Sequence, residues 1–214
     1  MEDAPVRSAG RHKDPAKREA ILTAAKALFL DRGFAQANMQ ELADRAGVSK
    51  LTLYSHFGDK TALFVAAIRD HYDHHLPASL FKEWDDGDLR GSLLTFARTY
   101  HAYLLLPASI SGRRLLRAPG VPAELSLEVW NAGPVRIDAF LTRSLARLGA
   151  RGLLHIEDPP LAAIHLLSMI RGDLFAQLGY GVQRHVPGTE TEAYLASAVD
   201  LFLRGYAGAR IPPE

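Results

Sequence analysis

The sequence has no cysteine, and that absence removes disulfides, thiolate metal sites and a cysteine nucleophile together. It fits a reducing compartment. Long apolar runs are also missing. The richest stretches, near 103–106 and 161–170, fall well short of the ~20 residues that span a bilayer. No apolar signal core stands behind Met1-Glu2-Asp3-Ala4-Pro5, so a soluble, cytoplasmic chain is expected. Charge is nearly balanced, with 25 Lys and Arg against 24 Asp and Glu, which gives no global pull towards nucleic acid. Strand-like alternation, internal repeats and low-complexity tracts are absent. So are a Gly-x-Ser-x-Gly elbow, a His-Glu-x-x-His pair, a phosphate-loop pattern and a Gly-x-Gly-x-x-Gly turn. Neither an enzyme nor a cofactor is expected.

What remains is an all-α chain of 214 residues, 48% apolar, which suits a substantial buried core. Its charge is uneven: from Arg7 to Arg18, the basic residues Arg7, Arg11, Lys13, Lys17 and Arg18 stand against the single acid Asp14. Residues 1–13 read either as a flexible basic arm that contacts phosphate or as a solvated terminus.

Helical punctuation follows. Asp14-Pro15 is an N-cap with proline at the first helical position, where its missing N–H costs nothing. Behind it Ile21, Leu22, Ala25, Leu28 and Phe29 share a face, and Gly33 closes the helix. Short helices are predicted over 39–46, capped by Asn38, and over 49–56. Asp59 caps a longer fourth helix. Further helices are expected over 88–106, 108–117, 122–148 with a kink or split at Gly133-Pro134, 158–179 and 189–208, about nine in all.

Ala43, Gly47 and Leu53 carry the spacing of a helix-turn-helix. Alanine lets two helices cross closely, glycine takes the positive φ of a sharp turn, and Leu42, Val48 and Leu53 bury the inner faces. The second helix then presents Ser49, Lys50, Thr52, Tyr54, Ser55 and His56 outward, towards a major groove. The surrounding run reads Ala46-Gly47-Val48-Ser49, Thr52-Leu53-Tyr54-x-His56-Phe57 and Asp59-Lys60 with Leu63 after it. It closely resembles the DNA-binding domain of the TetR family of bacterial regulators, as do Phe29 and Gly33-Phe34 before it.

The resemblance implies double-stranded DNA as partner, with Gln40 and Lys60 on backbone phosphate and Ser49, Lys50, Thr52, Tyr54 and His56 on the recognition helix. Lys60 sits at a helix N-terminus, whose dipole favours anions. Leu51 stands where a small residue is usual, to read a thymine methyl or to pack; Asn38 replaces the usual Thr or Ser. The implied organisation is a helix-turn-helix domain over 14–60 and a larger helical effector-binding and dimerisation domain over 61–214.

The helices predicted over 158–179 and 189–208 are apolar nearly all round, so both sides need covering. In TetR-like proteins such helices pair with their copies as a four-helix bundle. Leu167, Ile170, Leu174, Leu195, Val199 and Phe202 are therefore candidates for a homodimer contact; central helices of a monomer are the alternative. Arg114-Leu115-Leu116-Arg117, Gly133-Pro134, Gly152-Leu153-Leu154, Asp158-Pro159 and Ala162-Ala163 resemble the AefR-like C-terminal subfamily.

A small-molecule effector, hydrophobic or aromatic, is the implied signal, with Trp84, Phe96, Tyr100, Tyr103, Leu104, Trp130, Phe140, His165 and Met169 as candidate pocket residues. The expected function is repression, released by that effector. Activation, a DNA-binding factor without a ligand, and a helical carrier or enzyme are the alternatives. His71, His74 and His75 sit at i, i+3 and i+4 with His101 nearby, a spacing open to zinc or nickel, but no metal is expected.

Overall fold

The computed structural model describes residues 14–107, 109, 110, 112, 121–180, 182 and 188–208. The arm at 1–13, most of the helix expected at 108–117 and the loop at 183–187 lie outside them. The described residues form nine α-helices and no strand, joined in places by short 3-10 turns such as Ala78–Phe81 and Asp86–Asp88.

α1 (Pro15–Gln36) starts where Asp14 accepts the Ala16 amide at 3.0 Å. Its helical path breaks at Gly33, φ 76° and ψ 166°, and the last turn swings Phe34 inward. Phe34 and Phe29 then meet the Phe64 ring edge-on, at 5.2 and 5.0 Å between centroids. α2 (Met39–Arg45) and α3 (Lys50–Phe57) are capped by Asn38 and Ser49, and α4 (Lys60–His75) by Asp59. These four helices share one core, built on Ile21, Leu28, Leu42, Leu53, Leu63 and Phe64. Lys26 reaches Asp70 at 2.7 Å and ties α1 to α4.

α5 (Leu89–Leu105) follows the two 3-10 turns. The stretch expected to kink or split at Gly133-Pro134 is split, into α6 (Ala123–Ala132) and α7 (Pro134–Ala150), meeting at Gly133. Proline opening α7 has no N–H to continue the ladder from α6. α8 (Pro159–Gly179) breaks its helical path at Gly172, and α9 (Gly188–Gly205) closes the fold. α5, α7, α8 and α9 surround a second core, and Arg90–Asp200 and Arg98–Glu192 pairs lash α5 to α9 from outside. Two residues of α6, Leu125 and Val129, are buried in the first core rather than the second. The two cores are thus keyed together by α6, and Tyr72 of α4 packs against both.

Candidate nucleic-acid interface and ligand cavity

The turn between α2 and α3 is a Schellman motif: Val48 N–H donates to Ala43 carbonyl at 3.0 Å and Gly47 N–H to Asp44 carbonyl at 3.2 Å. It requires φ 65° at Gly47, where a Cβ would meet nothing within 4 Å. The demand for glycine is therefore conformational rather than steric. Ala43 and Leu42 are fully buried at the crossing, and Leu53 is the buried residue of α3.

Everything else on α3 faces away or lies half-covered. Ser49, Lys50, Leu51, Tyr54 and Ser55 are exposed, Leu51 at 80%. The Thr52 and His56 side chains are half-buried. Ser49 Oγ caps the Thr52 amide and contacts the Thr52 hydroxyl at 2.8 Å, which fixes the start of the helix. His56 Nδ1 is enclosed without a hydrogen-bond partner among the described residues. Gln40 is exposed, and its amide donates to Asp44 at 2.9 Å. Lys60 bends back to the end of α1, its Nζ donating to the Ala35 carbonyl at 3.1 Å and lying 4.7 Å from the Phe34 ring centre. Partial burial lowers its pKa.

A second feature lies between α4, α5, α6, α7 and α8: a cavity of about 260 Å³. Of the residues expected there, Tyr100, Tyr103, Leu104 and Trp130 line it. Trp84, Phe96 and Phe140 are not among the residues lining it: they pack on one another in the second core, centroids 5.9–6.2 Å apart. His165 is exposed and meets the Tyr206 hydroxyl at 2.8 Å, while Met169 offers its carbonyl to Tyr194. Ile68, expected only as an inner-face residue of α4, and Tyr72 form one wall with His71, and Arg171 of α8 joins them; none of these was expected in the cavity. The i, i+3, i+4 spacing of 68, 71 and 72 was the available signal, since it sets all three on one face.

Arg171 Nε donates to the Tyr100 hydroxyl at 3.0 Å. His71 is pushed down to about 4 by burial first, then by His75 and Lys26, against an opposing pull from Asp70. Asp138 is raised by burial and partly drawn back by Arg171. The histidine cluster does not converge on an ion: His74 and His75 turn their Nδ1 atoms to the carbonyls of Asp70 and His71, and no metal-holding group of three occurs among the described residues.

The expected dimer residues Leu167, Ile170, Leu195, Val199 and Phe202 are at most 2% exposed. They belong to the protomer's own second core, which needs them to cover α5 and α7. The Leu174 side chain lies outside the described residues. The outward apolar residues of this pair of helices are instead Leu161 and Ile164 on α8 and Tyr194 and Leu201 on α9, 41–58% exposed. No helix among the described residues is long and apolar enough to cross a membrane.

Comparison with known proteins matches the model of the tetR family of bacterial regulatory proteins over residues 21–67, and that of the AefR-like transcriptional repressor C-terminal domain over 91–208. The chain is 48% identical over 58 residues to the HTH-type transcriptional activator FasR of Mycolicibacterium smegmatis, 27% of this chain and 26% of that protein. It is 47% identical over 51 residues to the HTH-type transcriptional repressor BepR of Brucella suis, 24% of each chain. The chain thus spans about a quarter of the length of these curated relatives. The structure of the flavonoid-responsive regulator FrrA superposes with TM-score 0.80 at 27% identity, over 92% of this chain and 100% of that one.

Proposed function

The chain belongs to the TetR family of bacterial regulatory proteins, and from that premise we propose a sequence-specific DNA-binding regulator that acts as a homodimer on a palindromic operator. Residues 14–60 serve as the reading head, and 61–214 bind effector and partner subunit. The observation that carries the reading is α3 itself: anchored inward by Leu53, it holds Ser49, Lys50, Leu51, Tyr54 and Ser55 in solvent. An exposed leucine gains little in water but suits the thymine methyl of a major groove, beside a lysine that reaches phosphate or guanine. Gln40 and Lys60 flank the helix as phosphate donors; Lys60 first exchanges the Ala35 carbonyl for the DNA.

The regulated mode we favour is repression relieved by a small hydrophobic or aromatic effector in the cavity. The aromatic walls support it, as does the likeness to a flavonoid-responsive regulator. Such an effector must bind better to a state whose two reading heads are wrongly spaced, because equal affinity for both states would release nothing. α4 is the lever, since Leu63, Phe64 and Ala67 sit in the reading head's core and Ile68, His71 and Tyr72 in the cavity wall.

Selection of bound fragments from sheared genomic DNA tests the proposal, with wild type, Lys50→Ala and Leu51→Ala in parallel. The expected result is one strong palindrome for wild type and binding weakened by about 5- to 100-fold in each variant. Both substitutions are on solvent-exposed residues and leave the fold untouched, so a wild type that enriches no sequence overturns the reading.

A further inference from the structure

The cavity wall is specific enough to name the chemistry of its occupant, an inference that rests on the effector reading above. Two polar atoms of the wall have no hydrogen-bond partner among the described residues: His71 Nε2, on α4, and Ser109 Oγ, beyond the end of α5. Both atoms are buried, and Ser109 as a residue is only 5% exposed. Buried polar groups are costly unless paired, so two in one cavity mark what a bound molecule supplies. Around them stand aromatic and branched side chains, among them Tyr103, Trp130 and Ile137.

We propose that the cavity takes an uncharged, planar phenol whose hydroxyl pairs with the His71 imidazole and the Ser109 hydroxyl. A phenol brings one donor and one acceptor on a flat apolar body, which matches both the polar atoms and the aromatic walls. Charge argues the same way. Burial keeps the imidazole neutral near pH 7, so it exchanges one hydrogen bond and offers no countercharge to an anion. The cavity's cation, Arg171, already donates to the Tyr100 hydroxyl and shares its field with Asp138. A carboxylate would be desolvated there for little return. At about 260 Å³ the space lies just below the ~300–1,000 Å³ of drug-sized ligand sites, and suits a compact two-ring molecule.

The test uses the full chain and four probes of one shape: 4-phenylphenol, 4-methoxybiphenyl, biphenyl and biphenyl-4-carboxylate, with dissociation constants measured by calorimetry. The phenol is expected to bind at least about ten-fold tighter than the ether and the hydrocarbon, because a site built to pair a hydroxyl rejects the analogue lacking it. His71→Phe and Ser109→Ala, checked for folding by thermal melts, should bring the phenol-to-biphenyl ratio towards one. Equal binding of phenol and biphenyl, or preference for the carboxylate, overturns the phenol assignment and leaves the cavity as an effector site. Failure of all four probes to bind the folded protein overturns the phenol assignment as well, whereas the effector reading itself falls if filling the cavity by Ser126→Trp leaves operator release by every small molecule unchanged.

Discussion

Single residues carry two sharp expectations. At Gly47 the left-handed backbone has open space around it, so Gly47→Ala pays for conformation alone, roughly 1–2 kcal/mol. Denaturant unfolding should show that loss with an unchanged m-value. His71 predicts a pH dependence. Its folded-state pKa of about 4 lies below the ordinary 6.5, so between those values the unfolded chain binds more protons than the folded one. Stability therefore rises with pH across that window and falls as pH drops through it. The groups acting on the imidazole are His75, stacked at 4.2 Å, and the charges of Lys26 and Asp70. Thermal melts at pH 7 and pH 5 should show a smaller drop for His71→Gln than for wild type; equal drops would place the titration elsewhere. Leu51 shows what one residue type leaves open. Its sequence position allowed either packing or base reading, and the structure leaves it in solvent.

At the scale of elements, local chemistry made most boundaries legible. Asp14, Asn38, Ser49, Asp59 and Asp158 each cap the backbone two or three residues ahead, a bond contained within four residues of sequence. Gly133-Pro134 separates α6 from α7 for an equally local reason. The cavity was less legible, because periodicity shows that a face is apolar but not whether it opposes another helix or a void. Trp84, Phe96 and Phe140 pack ring against ring, while Ile68 and Tyr72 border an opening, and nothing in their spacing separates the two cases. Gly133 adds a constraint visible only in three dimensions: a Cβ built there would overlap the Tyr72 ring. Gly133→Ala should therefore force Tyr72 aside and destabilise the protein by about 1–3 kcal/mol, with a weakened response to any cavity ligand. An unchanged melting temperature would show that Tyr72 moves freely.

For the whole molecule, α4 and α6 join the two cores, and in the proposed regulation that link lets a ligand in the cavity bias where the reading head sits. On the homodimer we propose, the outward faces of α8 and α9, with Leu161, Ile164, Tyr194 and Leu201 exposed, are the surface for pairing. Long-range packing decided which apolar residues turned inward, and that is why Leu167 and Ile170 proved internal while Leu161 and Ile164 face out. Replacing Ile164 and Leu201 together by Asp should split the dimer into folded monomers by sedimentation, since both side chains are more than half exposed in one protomer. A dimer that survives this change pairs through another surface.

The central claim, a dimer that reads a palindrome through two copies of α3, is tested most directly by titrating the selected operator against the same DNA with one half-site scrambled. A protein with two reading heads should bind the intact site as two protomers per duplex, and lose on the order of 10³-fold or more in affinity when one half is scrambled. Equal affinity for both duplexes, with one protomer bound to each, would contradict it.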